Sequence, residues 1–128
     1  MRAWVWLDER DTRAVHGRSL VLHGGAAGLR DAGLLASALA RPRQVEPYGE
    51  AADVIDLAAA YTVGIVHNHP FVDGNKRTGF VIGVLFLELN GARFTASEEA
   101  ATQAVMGLAA GTLDEAGYAA LLRENTDH

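Results

Sequence analysis

The chain is organised around one stretch, which reads His67-Asn68-His69-Pro70-Phe71-Val72-Asp73-Gly74-Asn75-Lys76-Arg77-Thr78-Gly79. Its middle is polar and contains Pro70 and Gly74, two residue types that interrupt regular helix. An apolar segment precedes the stretch and a second apolar segment follows it. A polar loop between two buried segments is costly unless it has a function, so we expect this loop to be a candidate active site.

The second half of the loop opens the helix that follows it. Helix starts bind anions, because their first backbone N–H groups are unpaired and the helix dipole is positive there. Gly74 has no side chain where a phosphate would approach the backbone. Lys76 and Arg77 add two cations at the same place, and Asn75 can donate through its amide. The sequence therefore predicts a site for a di- or triphosphate.

Two further residues of the loop fit chemistry on such a ligand. Asp73 is out of place beside an anion unless a cation lies between them, and Mg²⁺ is the usual cation, held by one or two carboxylates and by phosphate oxygens. Asp73 could also cap the helix, and the two roles are compatible. His69 is suited to take a proton from an attacking hydroxyl; alternatively, it neutralises carbonyl groups at a helix end. The convergence of these residues in one loop favours a functional site.

The other aromatic and histidine residues of interest are expected to be structural. Phe71 is expected to anchor the loop in the core. His67 lies two residues before His69, whereas a pair of metal-binding histidines on a helix needs a spacing of four. His16 and His23 share a helical face, but no third metal ligand accompanies them.

Hydrophobic periodicity predicts an all-α fold, a single compact domain of about six helices. The clearest amphipathic helix ends at the loop. The segment after the loop is apolar on every side, which predicts that it is the central, buried helix. The predicted helices span residues 8–23, 32–40, 51–68, 75–89, 97–110 and 114–124.

The segment 42–50 is the least regular part of the chain. Pro42 is expected to end the second helix, and Pro47 and Gly49 follow it closely. The segment is therefore expected to be an exposed loop, which is either a plain connector or a short irregular flap beside the site.

The composition is typical of one soluble domain spanning residues 1–128. Hydrophobic residues make up 49% of the chain and charged residues 21%, and no apolar run approaches the roughly 18 residues that cross a bilayer. The N-terminus turns acidic too early for a secretory signal, and cysteine is absent. We therefore expect a cytoplasmic protein without a membrane partner. A formal net charge of −5 argues against direct binding of nucleic acid.

The segment from His69 to Gly79 resembles the signature of the Fic/Doc superfamily, H-x-F-x-(D/E)-G-N-(G/K)-R. Lys76 is similar to the Doc (death-on-curing) branch, since Fic enzymes have glycine there. The resemblance extends to Gly24–Asp31, to Leu34-Leu35, to the residues from Ser37 to Pro42, and to Leu87–Gly91 at the end of the central helix.

The resemblance implies a toxin of a type II toxin–antitoxin module, with the Fic/Doc fold. Doc toxins transfer the γ-phosphate of ATP to a threonine of elongation factor Tu, which arrests translation. By this resemblance, His69 is the general base and Asp73 the carboxylate associated with Mg²⁺. The implied phosphate-binding residues are Gly74, Asn75, Lys76 and Arg77. The implied partners are the target translation factor and a cognate antitoxin whose flexible segment folds on the toxin.

Two alternatives stay open. Fic AMP-transferases end their motif with a second arginine, where this chain has Phe80, a residue expected to support the site structurally. That difference weakens the interpretation as an AMP-transferase. The other alternative is a non-catalytic module of the Fic fold that binds a nucleotide or a partner. The intact motif counts against it.

Overall fold

Six helices and one short pair of strands form the part of the chain that the structure, a computed structural model, describes, namely residues 4–48 and 52–127. The helices are α1 (Glu9–His23), α2 (Ala32–Tyr48), α3 (Val54–Asn68), α4 (Asn75–Leu89), α5 (Glu98–Ala110) and α6 (Glu115–Glu124). The strands β1 (Arg93–Phe94) and β2 (Thr126–Asp127) pair antiparallel. The predicted all-α domain of about six helices is confirmed, with this strand pair in addition. Among the described residues, no helix combines the length and the apolarity needed to span a bilayer.

The centre of the fold is α3, which packs against α2, α4, α5 and α6 and buries nearly all of its side chains. Small residues allow this close packing: a Cβ atom added at Gly64 would lie 3.1 Å from the backbone oxygen of Ala38 on α2. α4 buries one face against α3, while Val81 and Leu89 stay exposed. The central helix is thus the one before the loop, whereas the sequence predicted the one after it. Part of the apolar surface of α4 lines a cavity instead of a neighbouring helix.

The second helix is longer than predicted. α2 continues through Pro42 as far as Tyr48, so the prediction of a helix end at Pro42 followed by an irregular flap is wrong for residues 42–48. Pro42 is buried, and it continues the helical spacing of the apolar residues Leu35, Ala38, Leu39 and Val45, which pack in or against the core. Burial of this stripe outweighs the local cost of a proline inside a helix, which is about 3 kcal/mol. The remainder of the predicted flap, residues 49 and 50, lies outside the described residues.

Candidate active site

The loop predicted to be the site, residues 69–74, joins the end of α3 to the start of α4. His69 ends α3 in the left-handed conformation, with φ 54° and ψ 52°, and its N–H donates to the carbonyl of Ile65. It is the one non-glycine residue with positive φ in the part of the chain that the structure describes. Pro70, which has no N–H, follows it and prevents the helix from continuing. The helix α3 therefore ends at His69, and the chain changes direction at this residue.

The helix α1 contacts the loop through His16. The buried ring of His16 stacks on Phe71, with ring centroids 3.8 Å apart and the planes 9° from parallel. His16 Nε2 donates to the carbonyl oxygen of Asp73 at 2.8 Å. Phe71 itself is buried. The predicted structural role of His16 thus has a definite form, because it connects α1 to both the buried and the exposed side of the loop.

Asn75 ties the loop to itself and to His69. Its Oδ1 accepts from the N–H of Phe71 at 2.9 Å, and its Nδ2 donates to the carbonyl of Phe71 at 2.9 Å and to Nδ1 of His69 at 2.7 Å. The two bonds to Phe71 fix the orientation of the amide, so Nδ1 of His69 must accept. A neutral His69 ring then carries its proton on Nε2. Because the side chain of Asn75 is buried and used in this way, its backbone N–H is the group that it leaves for a ligand.

The start of α4 differs from the other helix starts that the structure describes. The other five helices begin after an aspartate or serine whose side chain accepts a backbone N–H from the first turn, namely Asp8, Asp31, Asp53, Ser97 and Asp114. α4 begins after Gly74, which has φ 80° and makes no such bond. The first N–H groups of α4 are therefore open, as an anion site requires.

Two unpaired cations lie at this open helix start. Lys76 and Arg77 are exposed, and no carboxylate of the described residues forms an ion pair with either of them. Both have positive charge where the helix dipole is also positive, an arrangement that is unfavourable for the folded chain alone and favourable for a bound anion.

A cavity of about 630 Å³ opens over the start of α4, a volume typical of small-molecule sites. The structure brings all the predicted base, carboxylate and phosphate-binding residues to its wall, namely His69, Asp73, Gly74, Asn75, Lys76 and Arg77. Other lining residues come from α1 and α5. The cavity is thus a cleft between the loop and two helices that are distant from it in sequence.

Asp73 is the one acidic residue of the loop. Its Oδ1 accepts from the N–H of Gly74 at 2.8 Å and its Oδ2 from the N–H of Ala26 at 3.3 Å. Within residues 4–48 and 52–127, no group of three or more histidine, cysteine, aspartate or glutamate side chains could hold a metal ion. A single exposed carboxylate fits Mg²⁺ only when phosphate oxygens and water complete the coordination, which is how proteins commonly bind Mg²⁺ with a nucleotide.

The similarity to known proteins includes the residues of this site. The model of the Fic/DOC family matches residues 6–87, which is more than half of the chain and includes the whole loop. The chain belongs to the Fic/DOC family. The resemblance seen in the sequence is thereby confirmed.

Two relatives place this Fic/DOC protein near the Doc branch. The chain is 33% identical over 110 residues to the protein kinase doc of Escherichia phage P1, and the match covers 86% of each chain. It is 42% identical over 78 residues to the toxin Doc of Mycolicibacterium smegmatis, and that match covers 59% of each chain. The predicted Doc branch is therefore confirmed as well.

Phe80 occupies the position at which Fic AMP-transferases have a second arginine. In this Fic/DOC protein it is half-buried on the cavity wall and packs edge-on against Phe94 of β1, with ring centroids 5.7 Å apart. This side of the cavity thus has an apolar surface.

His67, expected to be structural, places Nε2 3.2 Å from the carbonyl of Leu108 on α5.

The sequence did not reveal the walls of the cavity that lie far from the loop. These wall residues include Ser19 and His23 of α1 and Glu98, Thr102 and Met106 of α5. His23, expected to be structural, lies on the wall, while His16 on the same helix is buried beneath the loop. No spacing in the sequence connects α5 with the motif, so the contact between them becomes visible only in the folded chain.

Proposed function

We propose that this Fic/DOC protein is a Doc-type toxin that transfers the γ-phosphate of ATP to a protein hydroxyl, with a threonine of elongation factor Tu as the target. The observation that carries the proposal is the uncapped start of α4, where Lys76 and Arg77 stand unpaired beside His69 in one cavity. The names of the two relatives, a protein kinase and a toxin, support it.

The phosphates of ATP bind at the start of α4 in this proposal. The open N–H groups of the first turn and the side chains of Lys76 and Arg77 contact the phosphate oxygens, and Gly74 lets them approach the backbone. Asp73 would hold Mg²⁺ beside the phosphates, and the ion would supply positive charge there. Asn75 contributes its backbone N–H, since its amide is bonded within the loop.

The transfer step needs a base, and His69 supplies it. The target hydroxyl oxygen attacks the γ-phosphorus, the bond between that phosphorus and the β–γ bridging oxygen breaks, and ADP leaves. The hydroxyl proton passes to the imidazole of His69. The lone pair of the neutral ring is engaged by Asn75 at 2.7 Å, so this hydrogen bond has to be released before the ring accepts the proton.

The experiment that tests the proposal is intact-mass analysis of elongation factor Tu after incubation with the purified protein, ATP and Mg²⁺. We expect the mass of one phosphoryl group to be added, and His69→Ala to add none. A nucleotidyl adduct would make the protein an AMP-transferase instead. An unmodified target, together with growth that expression of the protein does not arrest, would support the non-catalytic alternative.

We further propose that a cognate antitoxin neutralises the protein in the cytoplasm, where its target is found. A curated relative is named a toxin, and such a protein needs a separate inhibitor in its own host. Where a small protein is encoded next to it, co-expression with that neighbour is expected to restore growth. Growth arrest that this neighbour does not relieve would contradict the pairing.

A further inference from the structure

The guanidinium group of Arg30 grips the end of α3 from outside the cavity. Its Nε donates to the carbonyl of His69 at 2.7 Å, and its Nη2 donates to the carbonyl of Asn68 at 2.9 Å. These carbonyls lie at the negative end of the helix dipole, where a cation is favourable. No carboxylate of the described residues pairs with Arg30, so its charge serves the two carbonyls.

The backbone around Arg30 strengthens this grip. The N–H groups of Arg30 and Asp31 both donate to the carbonyl of Pro70, at 2.7 and 3.0 Å, and the N–H of Val72 donates to the carbonyl of Gly28 at 3.0 Å. The segment 28–31 therefore lies along the loop and holds the carbonyl oxygens of three consecutive residues, from Asn68 to Pro70.

His69 needs such support because of its conformation. A left-handed backbone costs a non-glycine residue on the order of 1 kcal/mol or more, and it persists only where the surroundings enforce it. The N–H of His69 is held by Ile65 of its own helix, while its carbonyl is held by Arg30. Without the guanidinium group, the carbonyl of His69 loses this donor. The backbone of His69 could then leave the left-handed conformation, which would redirect the bond from Cα to Cβ and the imidazole that it bears.

We infer that Arg30 is a positioning residue, which fixes the backbone of His69 and thereby aims the imidazole into the cavity. The inference rests on the proposed function of His69 as the base. Arg30 is not among the described residues that line the cavity, so it acts on the ligand only through His69. Its removal should then slow transfer and leave nucleotide binding intact.

The test compares three variants of the full chain, Arg30→Ala, Arg30→Lys and Arg123→Ala. Arg123 is the matched control, because it also binds α3, but at the other end, where it bonds to Asp53 and Asp56. For Arg30→Ala we expect kcat to fall by about 10-fold to 100-fold, since a displacement of about 1 Å costs up to that much, with an unchanged KM for ATP. Arg30→Lys, which offers one donor group for two carbonyls, should lie between it and the wild type. Arg123→Ala should keep the wild-type kcat.

A second readout needs no activity. The ring ¹H–¹⁵N signals of His69 in the nucleotide-free protein should show a proton on Nε2, and they should move in Arg30→Ala and stay in place in Arg123→Ala. If Arg30→Ala keeps the wild-type kcat and ring signals, the inference is overturned. If Arg30→Ala does not fold, Arg30→Lys decides, and wild-type kcat and signals in that variant overturn the inference equally. If the wild type transfers nothing, the proposed function fails, while the ring signals still show whether Arg30 positions His69.

Discussion

Two helices of equal length, α3 and α4, begin in opposite ways. At the start of α3, the carboxylate of Asp53 accepts the N–H of Asp56, and the carboxylate of Asp56 accepts the N–H of Asp53. Arg123 bonds to both of these side chains. At the start of α4, Gly74 offers no side chain, and the first N–H groups stay open.

The two helix starts differ in what they contribute to the protein. A side-chain cap stabilises a helix by about 1 kcal/mol, and α4 lacks this contribution. Lys76 and Arg77 add repulsion with the positive end of the dipole. These features weaken the helix and prepare it for an anion. The start of α3 thus contributes stability to the fold, whereas the start of α4 is open for the proposed phosphate site.

The largest effect is expected from a substitution that removes the proposed base beside the open helix start. His69→Ala should slow phosphoryl transfer by about 10²-fold to 10⁴-fold, the usual contribution of a general base, because the hydroxyl proton has no acceptor. The affinity for the nucleotide should be the same as in the wild type, since the start of α4 is unchanged. Transfer rates and a nucleotide titration measure the two quantities. Full activity of the variant would remove His69 from the role of base.

The second-largest effect is expected from substitutions that remove the cations at the start of α4. Lys76→Ala and Arg77→Ala should each slow transfer on the order of 10²-fold if their contacts to phosphate tighten in the transition state. Arg13→Ala is the control, because Arg13 pairs with Glu9 on the exposed side of α1, and it should leave the rate unchanged. A loss of nucleotide affinity with an unchanged kcat would show that the cations serve ground-state binding only.

A pair of substitutions at Gly74 adds a side chain to the start of α4, either with or without a carboxylate. A Cβ atom there would meet the ring of His16 at an ordinary 3.6 Å, so Gly74→Ala and Gly74→Asp share the strain of a positive φ. The carboxylate should repel the phosphates and lower nucleotide affinity by about 10-fold or more relative to Gly74→Ala. Calorimetric titration with ATP compares the two. Equal affinities would place the phosphates away from this helix start.

The smallest effect is expected from a substitution that removes the side-chain cap of α3. Partial burial raises the pKa of Asp53, but the N–H of Asp56 and the guanidinium of Arg123 outweigh it, so this pKa lies below its ordinary value of 3.8. The stabilisation by Asp53 is therefore present above that value and is lost as the pH falls through the lowered pKa. Asp53→Ala should cost about 1 kcal/mol at neutral pH and less in acid, with transfer unchanged. Urea unfolding at both pH values measures it; a cost independent of pH would exclude the charge of Asp53 as its origin.

Much of the fold, and the grouping of the candidate site residues, was predictable because the relevant signals are local. Acidic or hydroxyl residues such as Asp53 and Ser97 mark helix starts, and apolar spacing marks the buried faces. The site residues from His69 to Arg77 lie in one short loop, so their proximity in sequence already implied their proximity in space.

The parts that escaped prediction depend on packing between distant segments. Pro42 is a helix breaker by its local chemistry, and only the burial of the stripe that contains it keeps α2 intact. The amide of Asn75 was expected to face a phosphate, and the structure instead bonds it to Phe71 and His69. The grip of Arg30 on the end of α3 likewise depends on a backbone path that no periodicity reveals.

The uncapped start of α4 also makes folding and ligand binding parts of one equilibrium. An anion that occupied the open N–H groups would complete the first turn of a helix that packs against α3. Any ligand that binds only the folded state stabilises it, by about 2.7 kcal/mol at a concentration of 100 times its Kd. If the protein binds ATP as proposed, its resistance to unfolding should therefore rise and fall with the nucleotide supply of the cell that contains it.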